Sequence, residues 1–236
     1  MRVLVVTAVP VERDAVTRAF GGGPQVRSVP GAEIHRAGGF DVLAGGAGPA
    51  AAAASAAFAL AAAPAPYALV VSAGIGGGFA PAPVGSLVVA SAIVAADLGA
   101  ETPDGFVPVT GLGFGRDRYL PPAALVRDVA AATGAVSGEV LTVSTVTGSA
   151  ERSAALLAAH PDAVAEAMEG AGVAEAAELF GVPVLELRAV SNAVGPRDRA
   201  AWRIGEALSA LTEAFGKIAP VLEGWTVHDR QLDCPR

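Results

Sequence analysis

The chain has 236 residues, of which 53% are apolar and 17% charged, with a formal net charge of −7. This balance excludes a disordered chain and disfavours a nucleic-acid partner, because phosphate backbones are bound by basic patches. Lys217 is the only lysine and Cys234 the only cysteine, which removes a Walker phosphate loop, an internal disulfide and a cysteine metal cluster, and leaves almost no candidate for a Schiff base.

The expected elements alternate in an α/β order. RVLVVTA at 2–8 reads as a strand, followed by a helix near 10–20. FDVLAGG at 40–46 is a second strand. The Ala-rich run from Ala50 to Ala63 is too short and too weakly hydrophobic to cross a bilayer. It reads as a packed helix over 49–63, since alanine has the best helix propensity. YALVVSAG at 67–74 and SLVVASAIVAADL at 86–98 follow as apolar strands, whose continuous hydrophobicity implies helices on both faces of a mostly parallel sheet.

Further on, a helix is expected near 122–132, a strand at EVLTVST, 139–145, and helices near 149–159 and 169–180. A last strand, PVLELRAVSN at 183–192, precedes a helix near 198–216. No linker or repeat divides the chain, so the expectation is one α/β domain over 1–236 with a mixed, mostly parallel central sheet flanked by helices. The stretch 224–236 lacks periodicity and is expected to be a loose tail. The amino terminus is too short in its apolar run for a signal peptide, which makes the cytoplasm the default address. No membrane partner is expected. The histidines His35, His160 and His228 are scattered without metal-ligand spacing, so no metal site is expected.

Gly46, Gly48 and Ala51 fit the GxGxxA spacing of a dinucleotide loop, but the acidic residue required about 20 positions later is missing. A second glycine cluster, Gly74 to Gly78, leads to Pro81 and Pro83 rather than into a helix. Its glycines serve either to let backbone amides approach a ligand or to shape a tight turn. Ligands of open α/β sheets bind beyond the carboxyl ends of the strands. That rule directs attention to Thr7–Glu12, Ser72–Gly78 and Ser191–Asn192, with Met168–Glu169 opening a helix. Read from its neighbours alone, Glu12 is equally a surface glutamate in a first helical turn, favoured by the macrodipole. Glu169 is equally a solvated helix residue like Glu166, Glu175 and Glu178, and Asn192 a turn-capping amide.

Three strings carry a resemblance across nearly the whole chain: VVTAVPVERDA at 5–15, VVSAGIGGGFAPAPVGSLVVAS at 70–91, and AMEGAGVAEAAELFGVPVLELRAVSNAVG at 167–195. In this order and at strand ends they resemble the nucleoside phosphorylase and nucleosidase superfamily. DLGAETPDGF at 97–106, TVSTVTG at 142–148 and SNAVGPRDR at 191–199 resemble its futalosine hydrolases in particular.

The resemblance implies cofactor-free hydrolysis of the N-glycosidic bond of a purine nucleoside, futalosine, with release of hypoxanthine in a bacterial menaquinone pathway. It places Glu12 as the carboxylate that activates water, Glu169 on the ribose hydroxyls and Met168 against the sugar. Asn192 stands where adenine-specific members carry a proton-donating aspartate. An amide cannot ionise but both donates and accepts hydrogen bonds, which suits a 6-oxopurine. Ser191 orients Asn192, Arg188 pairs with a buried carboxylate, and Gly74, Ile75, Val146, Thr147 and Gly148 fall on sugar-binding and base-binding segments. Methylthioadenosine/adenosylhomocysteine nucleosidase and purine nucleoside phosphorylase activities remain as alternatives, and so does a non-catalytic nucleoside-binding module. A carboxylate at Glu12, where phosphorylases bind phosphate, would repel that anion. The resemblance also implies a homodimer or larger assembly.

Overall fold

The computed structural model describes residues 2–29 and 32–225. In chain order its elements are β1 (Val3–Thr7), α1 (Pro10–Arg18), β2 (Gln25–Val29), β3 (Ala32–Ala37), β4 (Phe40–Ala44), α2 (Pro49–Ala61), β5 (Leu69–Gly78) and β6 (Leu87–Ala95). Then come β7 (Gly99–Thr102), β8 (Gly105–Pro108), β9 (Arg118–Tyr119), α3 (Ala123–Thr133), β10 (Val136–Thr142) and α4 (Ala150–Ala159). The chain finishes with β11 (Ala163–Ala167), α5 (Gly170–Leu179), β12 (Val184–Ala193) and α6 (Ile204–Gly224).

They form a single α/β domain around a mixed sheet of order β11-β10-β6-β12-β5-β1-β4-β3-β2. Parallel pairings join β4, β1, β5 and β12 on one side, and β6, β10 and β11 on the other. The two groups meet where β12 runs antiparallel to β6. The end of β11 also pairs with the far end of β5, at Glu166 and Gly77, so β5, β12, β6, β10 and β11 close on themselves.

Residues of β1 alternate between two cores, as side chains in a strand must. Leu4 and Val6 join Ala52, Ala56 and Val173 from α2 and α5. Val3 and Val5 join Val16, Leu125, Leu211 and Phe215 from α1, α3 and α6. Burying a leucine or phenylalanine side chain of this kind contributes about 1.5–3 kcal/mol. The Ala-rich helix earns its composition by proximity: a Cβ at Gly172 on α5 would lie 2.0 Å from the Pro49 carbonyl oxygen of α2.

Several expectations need correction. The last helix begins at Ile204, not near 198, because Asp198 accepts a hydrogen bond from the Ala200 amide and caps a short 3₁₀ turn over Arg199–Ala201. It then runs through Pro220 to Gly224. Trp225, inside the stretch read as a loose tail, is buried with α6 in the second core; residues 226–236 lie outside the described residues. Gly74–Gly78 form no turn but the second half of β5, which lies between β12 and β11. Glu166 is buried on β11 rather than solvated on a helix. No helix of the described residues is long and apolar enough to cross a membrane.

Candidate active site

The strand order brings the carboxyl ends of β1, β5, β11 and β12 to one region, where a cavity of about 350 Å³ opens. Its wall includes Val9 and Glu12 after β1, Ile75 to Gly77 on β5, Met168 and Glu169 after β11, and Ser191 and Asn192 on β12. Val146 and Thr147 line it from the loop after β10, and Arg197 and Trp202 from the loop before α6. Of the residues that the resemblance assigns, Gly74, Gly148 and Arg188 are not part of the lining. Gly148 rests near the Arg197 side chain, and Gly74 lies beneath the acidic groups.

Glu12 occupies the first turn of α1, which starts at Pro10, a residue whose missing N–H costs nothing there. Its carboxylate turns back over the preceding loop. Oε2 accepts from the amides of Ala8 at 3.0 Å and Val9 at 3.2 Å, and Oε1 accepts from the Ile75 amide at 2.8 Å. Only 3% of the residue is exposed. Burial pushes its carboxyl above the ordinary glutamate value, with Glu169 adding to the rise, against the lowering pull of the Ile75 amide and Arg188. The result is an oriented carboxylate more basic than a surface glutamate, a fit to general-base work.

Glu169 stands at the start of α5 and is held from two sides. Oε2 accepts from Arg188 Nη1 at 3.1 Å, and Oε1 accepts from the Gly48 amide at 3.3 Å. Gly48 adopts φ 90° at the start of α2, a region glycine enters without steric cost. The glycines that mimic a dinucleotide loop thus direct an amide at a carboxylate of the protein.

Arg188 is wholly buried, and also donates from Nε to Glu186 Oε1 and from Nη2 to Ser72 Oγ, both at 2.9 Å. Gly74 is its register partner across the β5–β12 ladder. A Cβ there would come within 2.7 Å of Glu12 Oε1 and 2.8 Å of Arg188 Nη1. One guanidinium therefore serves Glu12, Glu169 and Glu186, and the three acids raise its own affinity for its proton against the effect of burial. The carboxyl of Glu186 is pushed up by complete burial, although Arg188 opposes the rise. Its Oε2 has no hydrogen-bond partner among the described residues.

A bulge between Val190 and Asn192 shifts the register of β12, which re-aims the side chains at its end. Ser191 Oγ donates to Asn192 Oδ1 at 2.9 Å, and Asn192 Nδ2 donates to the Ala193 carbonyl at 2.9 Å. That leaves the amide nitrogen of this cavity-lining residue a second hydrogen to donate. Across the cavity, Glu166 Oε1 accepts from the Thr147 amide at 2.9 Å, and its Oε2 accepts from the Thr147 hydroxyl.

Sequence reasoning missed Glu186 and misread Glu166, and it singled out Ser72 only as part of the segment Ser72–Gly78. Glu186 had a visible signal: it lies two residues from Arg188 in an apolar strand, so both must share one face. The partner of Ser72 and the burial of Glu166 gave none, since both depend on strands paired far apart along the chain.

The model of the phosphorylase superfamily matches residues 3–222. A futalosine hydrolase of Streptomyces coelicolor is 69% identical over 235 residues, covering 98% of this chain and 100% of that protein. One of Acidothermus cellulolyticus is 44% identical over 220 residues, with 91% and 89% covered. The solved futalosine hydrolase of Helicobacter pylori strain 26695 shares the fold, with a TM-score of 0.78 at 20% identity and coverage of 94% and 98%. The chain belongs to the phosphorylase superfamily and, within it, to the futalosine hydrolase family.

Proposed function

We propose that the protein is a nucleosidase that hydrolyses the N-glycosidic bond of futalosine, releasing hypoxanthine and dehypoxanthine futalosine. The substrate follows from the activity named for the relatives. The observation that carries the site assignment is the convergence of Glu12, Glu169 and Asn192 on one cavity.

Water attacks C1′ and gives up a proton to Glu12, while the C1′–N bond breaks and its electron pair leaves with the purine, which takes up a proton from solvent to become hypoxanthine as Glu12 returns its own to solvent. Glu169, held by Arg188 and the Gly48 amide, accepts hydrogen bonds from the ribose hydroxyls and offsets the positive charge that develops on the sugar. Asn192 donates a hydrogen bond to the departing base, and Met168 packs on the sugar. Ile75 presents its amide to Glu12, and Val146 and Thr147 flank the base. The Glu12 carboxylate disfavours phosphate as the nucleophile. Exposed Leu98, Phe106, Leu112 and Phe114 support a homo-oligomer, since such apolar side chains gathered in one stretch suit a subunit contact.

The test is chromatography of the products from futalosine, with and without phosphate. Release of free hypoxanthine independent of phosphate is expected, and Glu12→Gln should lose most turnover while still binding nucleoside. Release only with phosphate, or unchanged turnover in Glu12→Gln, would contradict the assignment.

A further inference from the structure

Glu166 has no part in the chemistry assigned above, yet it is buried in the wall of the same cavity. Its place follows from the sheet. Gly77 on β5 is the register partner of Glu166 on β11 and, on its other side, of Asn192 on β12. Residues directly opposite one another across a ladder project to the same face. Glu166 and Asn192 therefore stand on one face, two strand spacings or about 10 Å apart at the backbone, with a residue lacking a side chain between them. A Cβ at Gly77 would lie 3.3 Å from the Asn192 amide nitrogen and 2.8 Å from a Val194 methyl. Glycine keeps the gap open.

The two side chains offer opposite chemistry. A carboxylate only accepts, and each Glu166 oxygen receives a single hydrogen bond from Thr147, which leaves further lone pairs. The Asn192 amide nitrogen keeps a second hydrogen after its bond to Ala193. A 6-oxopurine carries an N1–H donor beside its O6 acceptor. A 6-aminopurine reverses that order, with a bare N1 beside an amino donor. We infer that Glu166 and Asn192, bracketing Gly77, read the N1–H and O6 edge of a 6-oxopurine, and that Glu166 is the residue that rejects a 6-amino base. This rests on the futalosine reading, and adds to it the group that selects the leaving base. A bare N1 against the Glu166 carboxylate repels, whereas an N1–H donates to it.

The experiment compares kcat/KM for futalosine and its 6-amino analogue in the wild type and in Glu166→Gln, with Tm measured for both proteins. A hydrogen bond to a charged group accounts for roughly tenfold to a hundredfold. The 6-oxo to 6-amino preference should therefore fall at least about tenfold in the variant, through loss on futalosine together with gain on the 6-amino analogue, whose bare N1 no longer faces a carboxylate. Equal losses on both substrates would overturn the inference and leave Glu166 as a structural clamp on Thr147. If the variant does not fold, the wild type with N1-methylated futalosine reads the same contact. A loss of about tenfold or more is expected, and equal rates would refute it. Wild-type failure to release hypoxanthine sinks the functional reading together with this inference, whereas normal release with an unchanged preference sinks the inference alone.

Discussion

Replacing Gly74 by alanine adds a single methyl group at the junction of Glu12 and Arg188. The new carbon would lie 2.7 Å from Glu12 Oε1 and 2.8 Å from Arg188 Nη1, where ordinary contact begins at 3.4 Å, so the carboxylate must retreat by roughly 0.7 Å. The 2.8 Å bond from the Ile75 amide would then stretch beyond the roughly 3.2 Å limit of a sound hydrogen bond. Losing a bond to a charged group costs about 1.5–3 kcal/mol, and a misplacement approaching 1 Å costs about a hundredfold in rate. In steady-state assays of hypoxanthine release, kcat should fall about a hundredfold and KM should rise as well, because the same methyl crowds Arg188 Nη1, the donor to Glu169. Crowding should also cost about 1–3 kcal/mol of stability, a fall in Tm of about 2–4 °C per kcal/mol for a chain of this length. A folded Gly74→Ala protein with kcat within about threefold of wild type would refute the claim that Glu12 needs this clamp.

Two pH experiments probe the buried acids. Burial and Glu169 raise the Glu12 carboxyl, so kcat/KM should decline as the pH drops through an apparent value above the usual glutamate pKa of about 4.3. A limb at or below that value would remove Glu12 as the base. The Glu186 carboxyl is likewise raised by burial. Its contribution to stability is whole below the unfolded value and is lost as pH rises through the folded one. Glu186→Gln escapes that loss, so the Tm difference, variant minus wild type, should grow as pH increases from about 4 to 8. A difference constant with pH would contradict a raised Glu186.

Much of the candidate site was legible because the side chains that line the cavity lie near strand ends, and strand ends are marked by apolar runs. Thr7–Glu12, Ser72–Gly78 and Ser191–Asn192 were found that way. The helix over Ala50–Ala63 was also readable, from propensity alone. Short strands such as β9, and the exposed edge strand β2, lacked an apolar run long enough to register. The start of the last helix was misplaced because Asp198 satisfies the amide of Ala200 locally, an alternative to helix that apolar periodicity does not reveal.

The order of residues along the chain determined which segments are strands, which are helices, and which polar groups wait at their ends, because hydrophobic periodicity and propensity act over short stretches. Only the tertiary structure decided that Gly77 separates Glu166 from Asn192, that Gly74 leaves room for Glu12 beside Arg188, and that Gly48 donates to Glu169. Those juxtapositions depend on strand register and on which chain segments lie side by side, and a side chain's chemistry changes with the charges it faces across that distance.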